Sequence, residues 1–497
     1  MNSYLNFIIR EKSNRLYLLM AIAVIAIQWI IFKVMYPFPD FFSDSYSYIF
    51  AAAENLSVNT WPIGYSKFLH AFHQITYSDN ALVTFQYALF EFASLHFFFT
   101  VLYLFRTTDK QALSIFWTNI IFIFLFIDPL SPYISNYINS DPLFAGISLL
   151  WFTQLIWIIH YPKNYQIITQ AVLLFLAFTI RNNAYYYPIL TILAFALSQQ
   201  SLVKKTVGAL AGIILITLFV YHTEDAAYQM TGTRQFSLFT GWQLANNALY
   251  MYDKINVDSN ELPTPQARQL DYLAKGFFSR NDKEKFNTFL YSHPGNLFIQ
   301  FSVSPLKEYL REHYKDTDEY SSIVNWGKAS ADFDPFGSYL IKTHPIAFTR
   351  YFILPNARNY FLPDLEKLEH YNLGSDSVYP LAKSWFHYDS LRINSVSKDL
   401  QGALLFLCPL VFLVSNLGLL LLLTWYIIKK KHTFEQPAFN KSLLLVATFG
   451  LTNFSFGVFA TILVLRYEFI PMIILFVFGI IMLDRVEKYK KRPASRV

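Results

Sequence analysis

Ten apolar runs, many of them ending in lysine or arginine, restrict what this chain can fold into. They are Leu16–Tyr36, Ala81–Phe105, Ala112–Ile127, Pro142–Ile159, Gln166–Ile180, Ala184–Leu197, Val207–Tyr221, Ala403–Ile428, Ser442–Leu465 and Phe469–Leu483. A run of about 20 apolar residues spans a bilayer as a helix, the element that satisfies every backbone group within one segment. Charged residues are 15% of the chain and hydrophobic ones 54%, whereas a soluble domain carries about 25% charged residues. The expectation is an all-α polytopic membrane protein with about ten transmembrane helices. Gln166–Ile180 and Ala184–Leu197 are short and could be tilted or broken, which leaves the count open by two.

Basic residues orient the runs. Arg10, Lys12 and Arg15 precede the first, and Arg106, Lys110, Lys163, Lys204, Lys205 and Lys429–Lys431 occupy alternate turns. The tail holds Arg485, Lys488, Lys490, Lys491, Arg492 and Arg496, while Asp128–Ser140 has no Lys or Arg. By the positive-inside rule both termini are cytoplasmic. The net charge of +6 therefore reads as topology and not as nucleic-acid affinity. Leu16–Tyr36 is too long for the apolar core of a signal peptide and lacks a small-residue cleavage site, so it reads as a retained first helix. The single cysteine, Cys408, excludes an intramolecular disulfide.

Three segments follow. Residues 1–222 form an N-terminal transmembrane module, 223–401 an external, mainly helical domain, and 402–497 a C-terminal transmembrane module with a basic tail. In the middle segment Pro265–Phe278 and Lys283–Tyr291 read as polar amphipathic helices, with Pro-Gly and Asp-Pro dipeptides as punctuation. The first external loop, Pro37–Asn80, predicts two short amphipathic juxtamembrane helices on the outer membrane face. Tyr46, Ile49, Phe50 and Ala53 mark one, with Ser43 as N-cap. Tyr65, Phe68, Leu69 and Phe72 mark the other, after Trp61-Pro62-Ile63-Gly64.

Several polar residues sit where the chain leaves the bilayer. Asp40 and Asp44 open the first loop; they either cap and solvate a helix start or supply a general base. Asp44 and Tyr48 share one helical face. Asp141, in Asn139-Ser140-Asp141-Pro142, reads as an N-cap, or as a second carboxylate that positions substrate or shares a divalent metal such as Mg or Mn with Asp40 and Asp44. Arg181 and Arg466 lie at external ends of runs; they either snorkel to headgroups or neutralise a phosphate by bidentate bonds. Glu91 and His96, inside the second run, read as a structural hydrogen-bonded pair. His293, His313, His344, His370 and His387 show no metal-ligand spacing, and Gly241–Asn247 is an amide-rich patch beside Trp242 that could bind a sugar.

Asp44-Ser45-Tyr46-Ser47-Tyr48-Ile49, then Pro62-Ile63-Gly64-Tyr65-Ser66, then Ile138–Phe144, then Arg466-Tyr467-Glu468-Phe469-Ile470-Pro471 together resemble short elements of the polyprenyl-phosphate-dependent GT-C glycosyltransferases. The chain departs from that pattern at Trp61, where an Arg is common, and in inserting its soluble segment between runs seven and eight. It also has no match for the peptide-binding motif of the oligosaccharyltransferases. The resemblance implies an inverting transfer from a polyprenyl-phosphate or -pyrophosphate sugar donor to a hydroxyl of a glycan, lipid or protein acceptor, at the outer face of a bacterial inner (plasma) membrane. It implies Asp44 as base with Asp40 or Asp141 assisting, and Arg181 and Arg466 at the phosphate with Tyr48 and Tyr467 beside them. It implies no certain cofactor, since many relatives act without metal. Two other readings stay open: a lipid-linked polysaccharide polymerase or ligase, centred on Arg and His of large external loops, and a lipid or solute transporter. Scarce glycine and the absence of matching halves weigh against the transporter.

Overall fold

The computed structural model describes residues 2–107, 113–280, 295–460 and 462–490. The expected helix Lys283–Tyr291 lies outside the described residues, as do Lys110, His293, Lys491, Arg492 and Arg496. Among the described residues the chain is helical, and pairing between extended segments is confined to isolated bridges such as Asp40 with Tyr137 and Asp364 with Val464.

The chain is a helical polytopic membrane protein. Eight helices among the described residues are long and apolar enough to cross a membrane: Lys12–Met35, Asp79–Phe105, Ile115–Ser135, Ser140–His160, Leu202–Thr231, Leu400–Ile428, Pro437–Ala460 and Phe469–Tyr489. The expected ten is thereby corrected at the two short runs. Tyr165–Ile180 has 16 residues and Tyr187–Leu197 has 11. At 1.5 Å per residue they reach about 24 and 16 Å, short of a hydrocarbon core of about 30 Å. A 3₁₀ turn, Asn182–Tyr186, joins them, so they form a broken pair whose link carries Arg181. The seventh helix, in contrast, does not stop at Tyr221. It continues to Thr231 and ends where Gly232 adopts φ +79° and its N–H donates to the Tyr228 carbonyl at 2.8 Å. An amphipathic helix, Asn2–Arg10, precedes the first span and was not expected.

Both first-loop helices form, as Ser43–Ala53 and Gly64–His73, and each buries one face. The first buries Ser45, Tyr48, Ile49 and Ala52, a face turned from the expected one, and leaves Ala53 exposed. Phe42, not Ser43, is the N-cap residue, and its N–H donates to Ser45 Oγ at 3.1 Å. Polar side chains face the bundle because they have partners there: Tyr65 donates to Gln86 at 2.8 Å. From the other side Tyr379 stacks on Tyr46 at 4.2 Å and Trp385 on His73 at 3.7 Å. Gly64 is required at its position, since a Cβ there would stand 2.5 Å from the Thr179 carbonyl oxygen.

Residues 223–401 do not share one core. Trp242, Phe298, Phe333, Phe336, Leu340 and Phe352 bury one another in a unit of their own. Tyr360, Leu368, Tyr371 and Phe386, further on, belong to the core of the membrane bundle. The first unit is built on helix Thr240–Leu249 against helix Glu319–Thr343. Gly241 and Gly337 let their backbones meet: an added Cβ would come 1.7 Å from the Ser330 oxygen at one and 2.4 Å from the Leu244 carbonyl carbon at the other. Asp334-Pro335 does not punctuate this segment, because Pro335 lies inside the longer helix. Burial of Phe333 and Phe336 on either side of it offsets the lost backbone bond. Glu91 and His96 are not paired with each other. Ser131 Oγ donates to Glu91 at 2.6 Å, and His96 Nδ1 lies 3.3 Å from the Tyr4 hydroxyl.

Candidate functional site

A cavity of about 780 Å³ is lined by the first-loop helix, the Arg181 link and the Arg466 turn together with the second core's unit, residues 239–353 as far as described. Asp44, Tyr48, Arg181, Arg466 and Tyr467 all line it. Five positions spread over most of the sequence thus converge on one space. Asp40 and Asp141 do not line it.

Asp44 sits in the first turn of its helix, where the dipole favours an anion. Lys367 Nζ donates to its Oδ2 at 3.2 Å and Ser43 Oγ to its Oδ1 at 3.3 Å. Burial alone would raise its pKa, but Lys367 and Arg466 outweigh burial and hold the carboxyl below its usual value. Tyr48, one turn on, places its hydroxyl 3.0 Å from Ser140 Oγ.

Asp141 takes a different place from the one its sequence context suggests. Asn139 is the N-cap residue, its side chain accepting from the Ser140 N–H, and Asp141 follows in the first turn, 4% exposed. There it ties the two arginines together. Arg181 donates to Oδ1 and Arg466 to Oδ2, the latter at 3.0 Å. Arg466 also donates to Glu366 at 3.2 Å and to the Tyr467 hydroxyl at 3.0 Å. The Tyr467 ring centroid is 4.4 Å from both guanidinium carbons, a double cation–π contact. Burial opposes charge on both arginines, but Asp141 and the Tyr467 phenol overcome it at Arg181, and Tyr467, Glu366, Asp141 and Asp44 do so at Arg466. Both remain cationic, rigidly held, and open to the cavity.

Asp40 is buried behind the site. Its Oδ1 accepts from the Asn372 N–H at 3.0 Å and its Oδ2 has no partner among the described residues. Burial pushes its carboxyl well above the usual range. Its contact supports the left-handed residues Asn372 and Leu373, φ 48° and 51°. Asp40 thus lies outside the cavity lining and holds the backbone of the 372–373 turn.

These carboxylates do not fit a shared Mg or Mn site. Asp141 is neutralised by two guanidinium groups, Asp44 is paired with Lys367, and Asp40 faces the backbone. Among the described residues no three His, Cys, Asp or Glu side chains gather as metal ligands.

Sequence reasoning missed Lys367 and Glu366. They sit side by side in a short 3₁₀ turn, Glu366–Leu368, which the pairing of Asp364 with Val464 anchors beside Arg466. Glu366 adopts φ 53°, a conformation unusual for a residue with a Cβ, and from there reaches Arg466 while Lys367 reaches Asp44. Lys367 also lies 4.3 Å from the Phe42 ring centroid. In sequence the turn is one more charged stretch of a polar insertion, and nothing in its pattern singles it out. The Gly241–Asn247 patch divides by face. Trp242 and Asn246 are buried outside the cavity lining, and Gln243 and the equally buried Asn247 line the cavity.

No protein-family model, curated protein or solved structure matches the chain.

Proposed function

We propose that the chain is an integral-membrane inverting glycosyltransferase of GT-C type, acting on a polyprenyl-phosphate or -pyrophosphate sugar donor. The observation that carries the reading is the cavity that holds Asp44 together with Arg181 and Arg466. Asp44 is ionised, as a base must be, and two fixed cations stand ready for a leaving phosphate. In the reaction the acceptor oxygen attacks the anomeric carbon and its proton passes to Asp44. The bond from that carbon to the phosphate oxygen breaks, and the leaving group departs with the electron pair. Arg181 and Arg466 neutralise the charge it gains. Asp141 aims both arginines, and Lys367 yields its hold on Asp44 as the acceptor enters. No step is assigned to a metal.

In this reading the cavity opens at the outer face of a bacterial plasma membrane, with both termini cytoplasmic and the 239–353 unit covering the acceptor. The test is sugar transfer by the purified protein in proteoliposomes carrying a polyprenyl-phosphate donor pool. Asp44→Asn keeps the shape of the side chain and loses its basicity, and is expected to lower turnover by about 10²- to 10⁴-fold. Turnover within a few-fold of wild type in Asp44→Asn removes the assigned base.

A further inference from the structure

Lys307 is in the wrong place for a structural lysine. It occupies the first turn of helix Pro305–His313, capped by Ser304, where the helix dipole disfavours a cation. It is half-buried and lines the same cavity as Arg181 and Arg466, but from a different part of the chain. Its ammonium has no ion-pair or hydrogen-bond partner among the described residues. It stands 4.5 Å from the ring centroid of Trp326 and 5.2 Å from that of Trp242, two indoles stacked at 4.0 Å. Burial lowers its pKa, with Asp316 acting against that and Arg311 with it. The neighbouring acid Glu308 is engaged with Arg280 at 3.7 Å, and Glu319, at the cavity edge, is exposed.

The same wall carries carboxamides. Asn296 and Gln300 line it with no side-chain partner among the described residues, and Gln243 lies beside them. Each amide offers both donors and an acceptor, as a ring of hydroxyls requires. A cation set against helix polarity, with no anion in direct contact, is a local conflict of the kind that marks a binding site. A bound carboxylate at Lys307 would resolve it with a charge-assisted bond.

We infer that the 239–353 unit contains an acceptor subsite for an acidic saccharide, in which Lys307 receives a uronate-type carboxylate and the neighbouring carboxamides take ring hydroxyls. The inference rests on the reading that the cavity accepts sugars, and it adds the class of acceptor. A neutral glycan would leave Lys307 without a contacting anion, and the donor phosphate has its own cations in Arg181 and Arg466.

The experiment measures binding to the full-length protein in nanodiscs by tryptophan fluorescence and calorimetry. The probes are a glucuronate-containing oligosaccharide, the same oligosaccharide with its carboxylates reduced to alcohols, and inorganic pyrophosphate. The acidic probe is expected to bind about tenfold or more tightly than the reduced one. Lys307→Gln abolishes that preference and Lys307→Arg keeps it. Equal affinity for the two oligosaccharides overturns the inference, as does a preference that survives in Lys307→Gln. Pyrophosphate binding that depends on Lys307, without preference for the uronate, overturns it as well by assigning the cation to the donor. Asp44→Asn separates the two claims, because it leaves the uronate preference intact. If that preference stands while Asp44→Asn still turns over, the acceptor subsite survives and the proposed base does not.

Discussion

Neutralising Asp141 should damage the protein more than removing any cation it holds. The carboxylate side chain is 3% exposed, Arg181 is 11% exposed and Arg466 2%. Breaking a buried ion pair by removing one partner costs about 3–5 kcal/mol, since the other charge stays buried. In Asp141→Asn, Arg466 still has Glu366 at 3.2 Å, so the uncompensated charge is chiefly that of Arg181. We therefore expect the lower end of that range, about 3 kcal/mol. Adding Arg181→Gln removes that charge, and the double variant should recover about 1–3 kcal/mol relative to the sum of the single losses. Reversible unfolding in mixed micelles, followed by far-UV circular dichroism and tryptophan fluorescence, measures both quantities. A cost below about 1 kcal/mol for Asp141→Asn, the value of an exposed pair, or strict additivity in the double variant, refutes the bridging role.

Lys367→Gln removes the nearest cation from Asp44, so the Asp44 pKa rises and the acid limb of the pH–rate profile moves to higher pH. The sign for stability follows: the native pKa of Asp44 is depressed, so its contribution is present above the ordinary carboxylate value and is lost as pH falls through the native one. The acid limb of Lys367→Gln in the same place as wild type counts against the pair. Glu468, buried and hydrogen-bonded by Asn453 at 2.7 Å, is pushed by burial from 4.5 to about 8. Its raised native pKa gives stability that is full below about 4.5 and is lost as pH rises through about 8. Glu468→Gln should flatten the stability–pH curve across that window, and an unchanged curve would exclude Glu468 as its source. Gly241→Ala must displace the Ser330 backbone, and should destabilise the 239–353 unit by about 1–3 kcal/mol or more; wild-type resistance of that unit to proteolysis would contradict the close helix contact.

The architecture was legible because hydrophobic runs and breakers act locally. Each of the ten apolar runs is mostly helical over its described residues, and the two that fall short of crossing length, Tyr165–Ile180 and Tyr187–Leu197, are the two that looked short in sequence. Residue roles were less legible, because partners come from far along the chain. Asp44 could be picked out by its position, but Lys367 lies 323 residues away. Asp141 matched an N-cap pattern that Asn139 fulfils, and its two arginines come from other segments. Pro335 signals a break in isolation, and buried phenylalanines around it overrule that signal. The face buried by Ser43–Ala53 is set by Ser140 and the 379–386 segment, neither of which a helical periodicity count within the loop can see.

The central claim is that a sugar is transferred in the space between Asp44 and the Arg181–Arg466 pair. A structure of the protein with a polyprenyl-phosphate sugar bound addresses it directly. The account predicts the lipid phosphate within hydrogen-bonding distance of both guanidinium groups and the anomeric carbon facing Asp44. A headgroup seated elsewhere on the bundle, with the cavity beside Asp44 empty of sugar, would contradict it.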